Sequence, residues 1–178
     1  MRPHTARRIA VVLAPLSLIA VGLAVVAVSN AGGPKTIELH GKMENIHNTH
    51  NPSAPPPASF FGPPDADCLS ASGVCSRFEA KGDIRGDGLG FIDTFPNQDS
   101  PSFSKAHTVI TTKNGSQLMC HEAALFDLQG DDHAFVDECI VDGGTGDYVG
   151  ATGYIQEVGT FDFANNVGEL DYYGKLTV

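Results

Sequence analysis

The sequence predicts an all-β protein: a single antiparallel β-barrel of about eight strands, carried behind an amino-terminal export segment. Three observations lead there. No stretch after residue 31 shows helical periodicity, and the chain instead breaks into short alternating segments between Gly, Asn and Asp turns. The 178 residues include 20 Gly and 11 Pro but only 18% charged residues, a balance foreign to helical bundles. The last segment alternates up to the chain end, as suits a closed barrel with no open edge. The length fits one domain, since a chain of ~150 residues buries enough surface to fold alone.

The elements follow in order. Arg2, Arg7 and Arg8 precede an apolar stretch from Ile9 to Val28, followed by Ser29-Asn30-Ala31. Residues 1–31 therefore read as a secretory signal peptide with Ser29 and Ala31 at the cleavage site, which makes the protein secreted. The 20-residue stretch is also long enough to span a bilayer, so an uncleaved anchor is the alternative. Membrane association is expected only in that case, and either route exports the body. Residues 32–64 form an amino-terminal segment with a first strand over Thr36–Ile46. Its loop over 51–64 holds six prolines, a density that forbids helix and central strand, and Phe60-Phe61 should pin it to an apolar surface. Residues 65–178 supply seven more strands: Arg77–Arg85, Leu89–Phe95, His107–Thr112, Gln117–Leu128, His133–Val141, Tyr148–Phe163 and Gly168–Val178. In the seventh of the eight, Val149, Ala151, Gly153, Ile155, Glu157, Phe161 and Phe163 share the inward face, with Gly150, Gly153 and Gly159 allowing a bend. Small residues on that face should leave a cavity. In the last strand Leu170, Tyr172, Leu176 and Val178 alternate with polar neighbours.

Charge and cysteine content narrow the function. The whole chain has 11 Lys+Arg against 21 Asp+Glu, net −10; removing the three leading arginines leaves a body of net −13. A face for nucleic acid needs clustered Lys and Arg, and the body has none to spare. Cys68, Cys75, Cys120 and Cys139 make an even number without C-x-x-C spacing, which favours disulfides over zinc. The sequence-local pairing is Cys68–Cys75 and Cys120–Cys139.

The most distinctive segment is Gly143–Gly153, GGTGDYVGATG. It has neither the following helix nor the lysine of a phosphate-binding loop. It resembles the allene oxide cyclase/dirigent barrel superfamily, where a G-G-T-G-x-[FY]-x-G-x-x-G segment opens a late strand; a calycin-type barrel is the alternative. The resemblance extends over Arg77 to Val178, with its specific part in those eleven residues. It implies an eight-stranded antiparallel barrel with an apolar cavity, and an activity among cyclases, isomerases or guides of radical coupling. None of the family's catalytic residues maps onto this chain.

Candidate chemistry comes from acids placed inward. With a two-residue turn at Gln129-Gly130, Cys120 faces Cys139 and Glu122 faces Asp137 on one side, and His121 faces Glu138 on the other. A buried carboxyl pair shares a proton and raises one pKa into a useful range. Glu157, among Ile155, Phe161 and Phe163, is the strongest single candidate, and Asp93 between Phe91 and Phe95 invites the same reading. The competing reading puts the hairpin pairs on the solvated outer face; for Glu157 it is a local bulge near Gly159 that turns the residue outward, and Asp93 is open to the same alternative. Tyr154, Tyr172 and Phe161 are candidates to hold a ligand, the tyrosines through their hydroxyls. His40, His47 and His50 lack matching ligand spacing and are expected in an exposed loop; no metal or cofactor is expected. The expectation is thus an apolar small molecule in the lumen and a cofactor-free cyclase or isomerase. A non-catalytic carrier or structural surface barrel is the alternative, and oligomeric state stays open.

Overall fold

The computed structural model describes residues 33–54, 62–94, 102–127 and 133–178. The expected export segment, Phe60-Phe61 and the turn expected at Gln129-Gly130 lie outside them. Eight strands run β1 Thr36–His50, β2 Val74–Gly82, β3 Gly86–Thr94, β4 Ser102–Thr112, β5 Gln117–Phe126, β6 His133–Thr145, β7 Thr152–Asp162 and β8 Val167–Thr177. Each pairs antiparallel with the next, and β8 pairs back with β1, so the sheet closes into an up-and-down barrel. The first strand therefore belongs to the barrel, which begins at residue 36.

Several boundaries differ from the sequence expectation, each for a local reason. β1 continues four residues past Ile46 because Asn45 forms a bulge at φ 55, a conformation Asn tolerates. Beyond the bulge Asn48 and Thr49 are buried. His40, His47 and His50 consequently sit on a strand, not in a loop. They are engaged separately: His47 Nδ1 with the Asn45 carbonyl at 2.9 Å and His50 Nδ1 with the Gly62 carbonyl at 2.7 Å, while His40 is exposed. β4 starts five residues earlier than expected, its inward positions being Ser104, Ala106 and Thr108. β7 starts at Thr152, since Gly146–Tyr148 forms a single 3-10 turn that leaves Val149 73% exposed.

The loop before β2 is tied down by charge. Arg77 donates from Nε and Nη2 to the two carboxylate oxygens of Asp65 at 2.6 and 2.9 Å, and from Nη2 to Asp67 at 2.8 Å. That bidentate pair holds the Asp65 carboxyl down at about 2. Cys68–Cys75 fastens the same loop to β2, and Cys120–Cys139 joins β5 to β6 inside the barrel.

Leu39, Ile84, Ile110, Leu118 and Leu176 fill the end of the barrel where β1, β3, β5 and β7 begin. Tyr172 completes this plug: its hydroxyl accepts from the Ile84 N–H at 2.9 Å and donates to the Ile84 carbonyl at 3.2 Å. The GGTG segment ends β6 and opens the β6–β7 connection at this closed end. Gly146 holds φ +59 there, and a Cβ on it would lie 2.3 Å from the Ser116 hydroxyl. Inside the barrel, large rings lie on glycines directly across the ladder, in the pairs Gly41–Tyr172, Phe78–Gly88 and Phe161–Gly168. A Cβ at Gly88 would fall 2.1 Å from the Phe78 ring, so glycine is what lets that ring lie flat.

Candidate functional site

Toward the opposite end the inward residues shrink. Ser76 on β2, Gly90 on β3 and Ser104, Ala106 and Thr108 on β4 face the lumen. Side chains this small do not meet across the barrel, and they leave a cavity of about 90 Å³. That is several times the ~10–15 Å³ one water needs. Met43, Ile46, Ile92 and Leu170 make its apolar walls. Phe126, Phe135, Phe161 and Phe163 form an aromatic side, with Phe126 stacked on Phe135 at 5.0 Å and Phe161 edge-on to Phe163 at 4.8 Å.

Three carboxyls from adjacent strands face this space: Glu122 on β5, Asp137 on β6 and Glu157 on β7. Glu157 lies directly across the ladder from Asp137 and is 4% exposed; Glu122 and Asp137 keep partial exposure. The β5–β6 ladder is offset by two residues from the expected register. Glu122 pairs with Cys139, Asp137 with Ala124 and Cys120 with Val141. The described ladder reaches Asp127, whose N–H bonds the Ala134 carbonyl at 2.8 Å, and residues 128–132 lie outside the described residues. An even offset leaves each residue on its expected face. Glu122 and Asp137 are therefore diagonal neighbours inside, and the disulfide between Cys120 and Cys139 forms diagonally at a Cα separation of 5.5 Å. His121 and Glu138 lie outside without facing each other: His121 sits opposite Ile140 and contacts Asp142, and Glu138 sits opposite Ala123.

Burial without a cation sets the protonation of the three acids. Glu122 is pushed up to about 8, first by loss of water and then by the Asp137 charge, with the Thr108 hydroxyl pulling the other way. Asp137 rises to about 6 for the same first reason, opposed by the backbone amides of Glu138 and Ala123. Glu157 rises well above the ordinary range through burial and then the charges of Glu122 and Asp137. Burial therefore favours the uncharged form of each acid, and the trio titrates as one coupled group. Thr108 Oγ1 lies close enough to influence Glu122 yet is in no hydrogen-bond geometry with it. Thr108 Oγ1 and Asp137 Oδ1 are both buried without a hydrogen-bond partner.

The other candidates lie elsewhere. Asp93 is on the outer face with its side chain 42% exposed, 3.3 Å from His107 Nδ1, and does not reach the cavity. Tyr154 is also on the outer face, opposite Lys175, and does not line the cavity. Tyr172 points inward but below the cavity, with its hydroxyl committed to Ile84. Phe161 lines the cavity at 4% exposure. The GGTG segment contributes nothing to the lining. Sequence reasoning passed over Thr108, although it lies opposite Cys120 and so must share its inward face. Among the described residues, the side-chain donors converging closely enough for a metal are Cys120, Glu122 and Cys139, and both sulfurs are spent in the disulfide. Compared with known proteins, the chain matches no family model, no curated protein and no solved structure, so the eight-stranded antiparallel barrel is its classification.

Proposed function

We propose that this is an exported barrel that takes an apolar small molecule into its lumen and rearranges it by acid/base chemistry. It would act without a cofactor, as a cyclase or isomerase of the allene oxide cyclase-like type. The observation carrying this reading is the placement of Glu122, Asp137 and Glu157 on the wall of an otherwise apolar cavity. Three acids on one largely apolar wall, with no cation beside them among the described residues, cost the fold stability, and a chemical role is what would retain them. Within the coupled trio a protonated carboxyl gives a proton to a substrate oxygen, and an ionised one takes a proton from carbon. One proton enters and one leaves, so the product is an isomer. The phenylalanine side of the cavity folds the substrate so that its reacting atoms meet.

The test is native mass spectrometry of the protein from its own culture medium, then single-turnover assays on whatever ligand it releases. A reactive ligand is expected to be converted, and Glu157→Gln or Asp137→Asn to slow that conversion by about 10²–10⁴-fold. Conversion unaffected by both substitutions, or a ligand returned unchanged, would leave a carrier instead. Export predicts a mature amino terminus at Gly32; retention of residues 1–31 in the membrane fraction identifies the anchored form.

A further inference from the structure

The cavity lining is chemically one-sided. Among the described residues it offers three carboxyls and no Lys, Arg or His, while the His133 ring packs against Phe163 of that lining at 5.1 Å. Thr108, 2% exposed, and Asp137 each present a buried oxygen without a partner at the same wall. Buried polar groups are normally satisfied, and a donor arriving from the lumen would satisfy these oxygens. An ammonium group brings three donors, a positive charge and no acceptor. The three acids are spread over adjacent strands, and their oxygens do not converge as ligands on one small ion; the convergent group is Cys120, Glu122 and Cys139, closed by its disulfide. Beside the acids stand Phe126, Phe135, Phe161 and Phe163, surfaces suited to an organic body and to a cation over a ring.

We propose that the lumen ligand is an amine: an apolar or aromatic body carrying a protonated nitrogen, held by Glu122, Asp137 and Glu157 with Thr108. This rests on the reading of the lumen as a ligand site and specifies its chemistry. In the empty barrel the acids suppress one another's ionisation; an entering ammonium removes that penalty, so binding releases protons. A carboxylate ligand meets the reverse situation and is repelled. The acidic body, net −13, favours approach of a cation in the same sense.

The test uses benzylamine, benzyl alcohol and benzoate, titrated calorimetrically near neutral pH into the mature protein in buffers of different ionisation enthalpy. Benzylamine is expected to bind at least about tenfold more tightly than benzyl alcohol, with proton release, and benzoate not to bind detectably. Asp137→Asn and Glu157→Gln should each weaken benzylamine about tenfold and leave benzyl alcohol within about twofold. Both remove a buried ionisable group and are expected to keep the fold; the wild-type ranking of the three probes decides alone if one does not. Benzyl alcohol binding as tightly as the amine overturns the inference and leaves the lumen reading intact. No binding of any probe overturns both. Equal amine affinity in both variants places the amine on the acidic exterior and overturns it, and displacement of benzylamine by calcium or zinc makes this an inorganic-cation site and overturns it too.

Discussion

At one end of the barrel Leu39, Ile84, Ile110, Leu118 and Leu176 fill the space between the strands, whereas toward the other end the inward positions include Ser76, Gly90, Ser104, Ala106 and Thr108. The first set excludes water and is knotted by the Tyr172 hydroxyl. The second leaves room, and into that room go Glu122, Asp137 and Glu157. Both ends are built on the same strands, so side-chain volume alone separates a plug from a cavity. The packed end supplies apolar burial that offsets the cost of acids held in the other.

The largest test of that contrast is Leu118→Ala in the plug, expected to cost about 2–5 kcal/mol in denaturant unfolding. A loss below ~1 kcal/mol would mean the plug collapses around the gap and the two ends are not so different. Next comes pH. The three lumen acids have folded pKa values raised above their unfolded ones, so their penalty is absent in acid and grows as pH rises through about 6 for Asp137 and about 8 for Glu122. Asp65, lowered to about 2, acts oppositely: its contribution is full above ~4 and is lost as pH falls through its folded value. The unfolding free energy should therefore be highest near ~pH 4–5 and fall toward ~pH 8 by on the order of a few kcal/mol, with the melting temperature following it. Glu157→Gln should raise it at ~pH 8 and hardly change it at ~pH 4. A wild-type profile rising over that interval would show the acids to be solvated. Tyr172→Phe is expected to cost about 1–3 kcal/mol by stranding the Ile84 N–H, and to leave lumen binding unchanged. The smallest effect belongs to Asp93→Asn, within ~0.5 kcal/mol and without influence on turnover. Loss of turnover there would bring the outer face into the mechanism.

How far the sequence was legible depended on what each strand carries inside. In β8, Leu170, Tyr172 and Leu176 alternate with Glu169, Asp171, Tyr173 and Lys175, and the structure keeps that alternation. The first half of β4 is hidden because Ser104 and Ala106 face inward without looking hydrophobic, the same property that opens the cavity. The end of β1 is hidden because the Asn45 bulge breaks a period of two. Asp93 was ambiguous because β3 carries apolar residues on both faces: Ile92 lines the cavity, while Phe91 stacks outside on His107 at 4.8 Å.

By itself, then, the sequence determined the local matters: strands with period two, turns at Gly and Asn, and the two disulfides between neighbouring segments. These follow from short-range sterics and the alternation of side chains along a strand. Tertiary structure alone decided that Glu122, Asp137 and Glu157 meet on one wall, that Asp93 and Tyr154 stay outside it, and that Tyr172 closes the far end. Such facts depend on ladder register and barrel closure, which sum pairings along the whole chain, and a two-residue offset in one hairpin changes which residues are neighbours without changing any local pattern.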